Sequence, residues 1–189
     1  MVSPEHWLTK ASRTPSPNQD ARPDPDDVSL VVVHGISLPP GEFGTGAVER
    51  FFRNTLDCSR DPRLADLEGV RVSAHLFVSR SGGLSQFVPF DRRAWHAGVS
   101  CCRGRSGCND FSIGIELEGT DDSGYTDRQY VVLARILNTL IARYPRLDRS
   151  AIVGHSEIAP ARKTDPGPNF DWQRVYQSLY TRGNPSHKT

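Results

Sequence analysis

Residues 125–144 constrain the fold of this chain more than any other stretch. Tyr130, Leu133, Ala134, Leu137, Leu140, Ile141 and Tyr144 recur at helical spacing. A helix there carries one apolar stripe that must be buried against another element. Thr126 and Gln129 form a capping-box pattern at its start, and Pro145 stops it. The partner has to come from short runs. Residues 30–33 and 151–153 are brief and rich in β-branched side chains, which reads as buried strands. Residues 111–117 alternate, with Ile113, Ile115 and Leu117 on one side and Gly114, Glu116 and Glu118 on the other. Residues 72–78 and 84–88 flank a turn at 79–83 and predict a hairpin. Residues 47–56 put Val48, Phe51, Phe52 and Leu56 on one helical face, and 170–179 predict a closing helix. The order β, α, β, β, β, α, β, α predicts a mixed α/β fold, with one mixed sheet flanked by helices.

The 189 residues suit a single domain, 1–189. Residues 1–28 are expected to form an N-terminal arm and 186–189 a flexible tail. The Pro-, Asp-, Arg- and Ser-rich stretch 12–27 is expected to lie on the surface, outside the core. Residues 38–46, 92–109 and 158–169 read as loops. With 23 basic against 22 acidic side chains, an electrostatic grip on nucleic acid or an anionic membrane is not expected. No stretch is apolar enough to cross a bilayer. The first residues lack the charged start and apolar core of a secretory signal, so a cytoplasmic protein is expected. Cys58, Cys101, Cys102 and Cys108 are then expected to be reduced thiols. Cys101 and Cys102 are adjacent and would point to opposite faces of an extended segment, which argues against a cysteine zinc site.

Chemistry concentrates at strand ends, where α/β proteins gather ligands. His34 follows one apolar run and His155 another, and Asp165 lies in the Pro-rich loop beyond. Two imidazoles and one carboxylate are a common catalytic zinc set that leaves a fourth position for water. The metal lowers the pKa of that water from about 16 to roughly 7. Taken singly, each of the three has an ordinary structural role open to it, and spacing alone does not separate the two. Glu116 or Glu118 could take the water's proton, with a solvated strand face the favoured reading for Glu118. Lys163, two residues before Asp165, could steady an oxyanion or be an exposed lysine. His75 reads as structural or supporting, His96 as a loop residue that could line a pocket, and Trp95 as a ring for a sugar or a cap on the core.

Longer motifs then identify a family. Val31-Val32-Val33-His34, Arg71-Val72-Ser73-Ala74-His75, Val88-Pro89-Phe90-Asp91, Ala94-Trp95-His96-Ala97-Gly98, Asn109-Asp110-Phe111-Ser112-Ile113-Gly114-Ile115-Glu116, Gly154-His155-Ser156-Glu157-Ile158-Ala159-Pro160 and Lys163-Thr164-Asp165-Pro166-Gly167-Pro168 occur in this order. They resemble the AmpD-type 1,6-anhydro-N-acetylmuramyl-L-alanine amidases. These are cytosolic enzymes of peptidoglycan recycling that share a fold with phage-type amidases and peptidoglycan-recognition proteins. The resemblance implies Zn2+ held by His34, His155 and Asp165. It implies Glu116 as the carboxylate that handles the water's proton, Lys163 as the transition-state cation, and Arg71, Trp95 and Arg162 as contacts to an anhydromuramyl-peptide. It implies a small muropeptide as substrate, no obligate protein partner, and a link to β-lactamase induction. Three positions depart from the pattern: Gly35 in place of Asn, Ser106-Gly107 before Cys108 in place of an Arg (with Arg103 or Arg105 to substitute), and Arg63 in place of an aromatic. The alternatives are a lytic amidase acting on intact wall and a muropeptide-binding module without catalysis.

Overall fold

The computed structural model describes residues 1–179. Its strands are β1 (Ser12–Arg13), β2 (Gln19–Ala21), β3 (Leu30–Ile36), β4 (Leu76–Val78), β5 (Leu84–Gln86), β6 (Arg92–Ala94), β7 (Cys101–Cys102), β8 (Arg105–Ser106), β9 (Ser112–Glu118) and β10 (Ile152–Gly154). Its α-helices are α1 (Ala47–Phe52), α2 (Asp127–Arg143), α3 (His155–Ile158) and α4 (Trp172–Gln177). Six strands form one sheet in the order β1-β5-β4-β9-β3-β10. β4, β9, β3 and β10 run parallel, β4 and β5 form the antiparallel hairpin, and β1 lies parallel to β5. The mixed sheet flanked by helices agrees with the sequence reading.

The long amphipathic helix behaves as its pattern demands. Tyr130, Leu133, Leu137, Leu140 and Ile141 of α2 pack on Val31 and Val33 of β3 and on Ile113, Ile115 and Leu117 of β9. Burying each such aliphatic side chain is worth roughly 1.5–3 kcal/mol, so this layer dominates the fold's stability. The capping box at Thr126 and Gln129 is formed. The Gln129 amide also donates to the carbonyls of Val78 and Glu118, at 3.1 and 2.9 Å. The start of α2 is thereby tied to the C-terminal ends of β4 and β9. The opposite face of the sheet is covered by α1 with Phe77 and Phe87, and by a smaller group around Leu30, Val32 and Val153.

Several boundaries differ from expectation for identifiable reasons. Helix α1 stops at Phe52, and Asn54 beyond it takes a positive φ of 60°, a left-handed conformation that an α-helix does not continue through. The strand expected over 72–78 is laddered only at Leu76–Val78. The supposed loop 92–109 contains three short strands: β6, which pairs with β2 of the N-terminal arm, and β7, which pairs with β8. The expected tail at 186–189 lies outside the described residues.

The N-terminal arm departs furthest. It pairs as β1 and β2, and Ser16, Asn18 and Arg22 are buried. The Asn18 amide donates to the carbonyls of Phe52 and Val72. Arg22 donates to the carbonyls of Phe90, Asn109, Asp110 and Ser112. Polarity in this segment therefore does not mean exposure, because its side chains satisfy backbone groups of loops that lack regular partners. All four thiols are free, with Cys58 and Cys108 buried and Cys101 exposed.

Replacing Arg22 by Leu should strand these carbonyls. A buried charge-assisted network broken on one side costs about 3 kcal/mol or more. Urea unfolding of Arg22→Leu is expected to show that loss, and a loss under about 1 kcal/mol would contradict the inserted arm.

Candidate metal centre and active site

Parallel register assembles the site. On β3 and β9, His34 stands opposite Glu116, and Glu116 also stands opposite Phe77 of β4. His34 and Glu116 project from the sheet face away from α2, near the C-terminal ends of their strands. On the other side of β3, Val33 pairs with Gly154, so the next residue, His155 at the start of α3, arrives beside His34. Asp165 is brought in by its loop. The Ser156 N–H donates to the Asp165 carbonyl at 2.9 Å, and the Tyr125 hydroxyl donates to the Pro166 carbonyl at 2.8 Å.

Three donor atoms converge. His34 Nδ1 lies 3.0 Å from His155 Nδ1 and 3.2 Å from Asp165 Oδ2, and His155 Nδ1 lies 3.1 Å from the same oxygen. This set is suited to a metal ion. The far nitrogens already have partners: His155 Nε2 lies 3.3 Å from the Ala97 carbonyl, and His34 Nε2 lies 2.9 Å from His96 Nδ1. A carbonyl only accepts, so His155 places an N–H on Nε2, which leaves Nδ1 as the atom it can offer to a cation. Burial pushes the His34 pKa down to about 4, against the pull of Asp165, so that ring is neutral near pH 7. Burial would raise the Asp165 carboxyl, but without a metal the Nδ1–H groups of His155 and His34 can donate to it, and this outweighs burial and holds the group below the usual carboxylate range. A cation entering the centre would displace those Nδ1 protons and meet two imidazole nitrogens and an ionised carboxylate, the donor states it requires.

Beside the triangle opens a cavity of about 300 Å³, lined by Trp95, His96, Glu116, Lys163 and the apolar side chains of Leu38, Phe51, Phe52, Val70 and Val72. Glu116 is buried and its Oε2 has no hydrogen-bond partner among the described residues. Burial, and then the neighbouring Asp165 charge, raises its proton affinity well above the ordinary value, with Lys163 opposing. A buried carboxylate oxygen without a partner costs stability unless something outside the chain uses it.

Residues 24–168 match the N-acetylmuramoyl-L-alanine amidase family. The chain belongs to that family. It is 54% identical over 188 residues to the 1,6-anhydro-N-acetylmuramyl-L-alanine amidase AmpD of Citrobacter freundii, covering 100% of this chain and 98% of the relative. A crystal structure of a selenomethionine AmpD derivative superposes with a TM-score of 0.92 at 54% identity, covering 95% of this chain and all of that one. The Escherichia coli amidase AmiD, solved with anhydro-N-acetylmuramic acid-L-Ala-D-γ-Glu-L-Lys as its substrate, aligns at 30% identity with a TM-score of 0.59, over 80% of this chain and 57% of its own.

In this amidase the candidate residues are distributed unevenly. His34, His155, Asp165, Glu116, Lys163 and Trp95 all line the one cavity. Arg71 is exposed at the surface, reaching the Val70 carbonyl at 3.5 Å, and is not among the lining residues. Arg162 donates to the carbonyls of Ala97 and Val99, so it braces the loop whose Ala97 carbonyl faces His155. Neither Arg103 nor Arg105 lines the cavity: the first reaches the Ser150 carbonyl, and the second pairs with Asp27 and covers Phe111. Arg63 is paired with Glu42 and Asp61. At Gly35 a Cβ would collide with the Tyr125 hydroxyl, so an Asn there would require that ring to move.

One reading needed correction. Glu118 is not on a solvated face: it is 4% exposed and accepts from the N–H groups of Gly44 and Arg80, at 2.5 and 2.9 Å. It fastens the loop after β3 to the turn after β4. His96 lines the cavity as expected from its loop, and it also touches His34 directly. No periodicity in the sequence carries that contact, since it crosses from a loop to a strand.

The buried imidazoles set a pH dependence. Burial lowers His34 to about 4, and lowers His75 and His96 well below the ordinary 6.5. As pH falls through 6.5, the unfolded chain takes up these protons and the folded chain does not, so stability is lost, at up to about 1.4 kcal/mol per pH unit per group. Glu116 acts oppositely, as one group against three. The metal-free protein is expected to show a lower urea midpoint at about pH 5 than at about pH 7. An equal or higher midpoint at the lower pH would contradict neutral burial of these rings.

Proposed function

We propose that this amidase is zinc-dependent. In this reading it hydrolyses the amide between 1,6-anhydro-N-acetylmuramic acid and L-alanine in small cytoplasmic muropeptides released during peptidoglycan recycling. The observation that carries the reading is the donor triangle of His34, His155 and Asp165 beside Glu116, whose Oε2 has no partner among the described residues, in one cavity. The full-length likeness to AmpD supports the substrate. Its donor edges of 3.0–3.2 Å are close to the ~3.3 Å edge of a tetrahedron with ligand bonds of ~2.0 Å, which suits zinc. Zinc held there would supply a Lewis acid and a water acidic enough to ionise near neutral pH.

The chain's own groups would do the rest. Glu116 takes a proton from the attacking water and returns it to the leaving amine of L-alanine. Its raised proton affinity suits a group that holds a proton between two steps. The Lys163 ammonium lies in the same cavity and steadies the charge developing on the lactyl carbonyl oxygen. Trp95 offers a ring face to the sugar. Arg71 approaches the peptide from the rim, and Arg162 contributes through the loop at residues 97–99. Among the described residues no helix is long and apolar enough to cross a membrane. Removal of anhydromuropeptides in the cytoplasm would place the enzyme upstream of muropeptide-dependent β-lactamase induction.

Purified protein should release free peptide from anhydromuramyl-tripeptide, with little product from intact peptidoglycan and none once a chelator is added, as read by mass spectrometry. Preferential cleavage of intact wall would move it to the lytic amidases. Metal uptake without cleavage of either would make it a binding module.

Glu116→Ala should keep its metal and lose about 10²-fold or more in kcat. Near-full turnover with metal bound would remove Glu116 from the mechanism.

A further inference from the structure

A proton must be placed on each imidazole of the centre, and at His34 the placement depends on one neighbour. His34 Nε2 lies 2.9 Å from His96 Nδ1, and His96 Nε2 lies 3.1 Å from the hydroxyl of Ser112. The ring planes are nearly perpendicular at 87° and the centroids lie 5.0 Å apart, so with these nitrogens 2.9 Å apart the rings meet nitrogen to nitrogen.

The site is shaped around the His96 ring. A Cβ on Gly114 would stand 2.5 Å from His96 Cγ, so β9 is hollowed where the ring lies. The side-chain oxygen of Asn109 accepts from the backbone N–H groups of His96 and Ala97, at 3.1 and 2.8 Å. Ser112 is fully buried, and its carbonyl is gripped by Arg22 at 2.6 Å.

We propose that His96 is a positioning residue of the metal centre, accepting the Nε2–H of His34 while Ser112 accepts its own Nε2–H, so that Nδ1 of His34 stays bare and aimed at the metal. This rests on the metal reading above. A neutral imidazole has one N–H. If His96 carries its proton on Nε2, its Nδ1 can only accept, and the proton of His34 must sit on Nε2. If His96 carries it on Nδ1, His34 Nε2 must accept, and the proton of His34 moves to Nδ1, inside the donor triangle. The Ser112 hydroxyl can accept or donate, which lets the chain of bonds reverse when a metal enters or leaves.

The wild-type protein loaded with zinc is tested first, by long-range proton–nitrogen correlation of its ¹⁵N-labelled histidines. Protonated Nε2 and bare Nδ1 are expected at both His34 and His96. A proton on Nδ1 of His96 would overturn the proposal. Zinc affinity is then measured by competition with a chromophoric chelator, with folding checked by circular dichroism. His96→Ala is expected to bind zinc about 10- to 100-fold more weakly. His96→Asn, whose amide oxygen can accept from His34, should recover most of that loss, which a purely space-filling role would not produce. Ser112→Ala removes one hydroxyl and should weaken binding by less; it decides the matter if His96→Ala fails to fold. Wild-type affinity in folded His96→Ala or Ser112→Ala overturns the relay and leaves the metal centre standing. A wild-type protein that takes up no zinc overturns both.

Discussion

The pairing of β3 with β9 is the constraint on which the rest of the molecule depends. Both strands are central, parallel and buried, and their shared register sets Val31 and Val33 beside Ile113 and Ile115 on one face while setting His34 beside Glu116 on the other. The apolar face is clamped by α2, and this fixes the register, because a shift of one residue would turn every apolar side chain of a strand away from the helix. The polar face inherits that precision. The proposed metal ligand His34 and the proposed proton-handling carboxylate Glu116 are thus held in place by burial on the far side of the same two strands.

The polar groups of the site are arranged in layers. The three donors lie innermost, His96 and the Ala97 carbonyl orient the imidazoles, and Ser112 and Arg162 hold those groups in turn. The N-terminal arm reaches into the same structure, since Arg22 binds the Ser112 carbonyl. Several of these groups are costly to bury alone, and mutual hydrogen bonding offsets the cost. Glu116 is the exception: its Oε2 has no partner among the described residues, as expected of a group whose partner is water or substrate.

The helices and strands were legible wherever periodicity was strong. The stripe on α2, its capping box and the alternation of β9 each follow from local pattern. The zinc-ligand candidates were legible as strand-end histidines and a stiffened aspartate, and the family motifs ranked them. Contacts between segments distant in sequence were not legible. Glu118 alternates like an exposed residue, yet its partners, Gly44 and Arg80, come from two loops. The arm is polar in composition, yet Asn18 and Arg22 are buried because backbone carbonyls elsewhere need donors. Arg71 and Arg162 sit in motifs beside the site residues, but one lies at the surface and the other braces a loop. Sequence proximity to a motif does not fix where a long side chain ends.

The most direct measurement is X-ray absorption at the zinc edge on protein loaded with one equivalent of zinc. With His34, His155 and Asp165 as ligands, the metal should show nitrogen and oxygen neighbours at roughly 2.0–2.1 Å, with the multiple scattering of two imidazoles. His34→Ala should lose one imidazole from that pattern. Sulfur at roughly 2.3 Å, or a wild-type spectrum unchanged in His34→Ala, would place the metal elsewhere and contradict the centre on which the proposed chemistry stands.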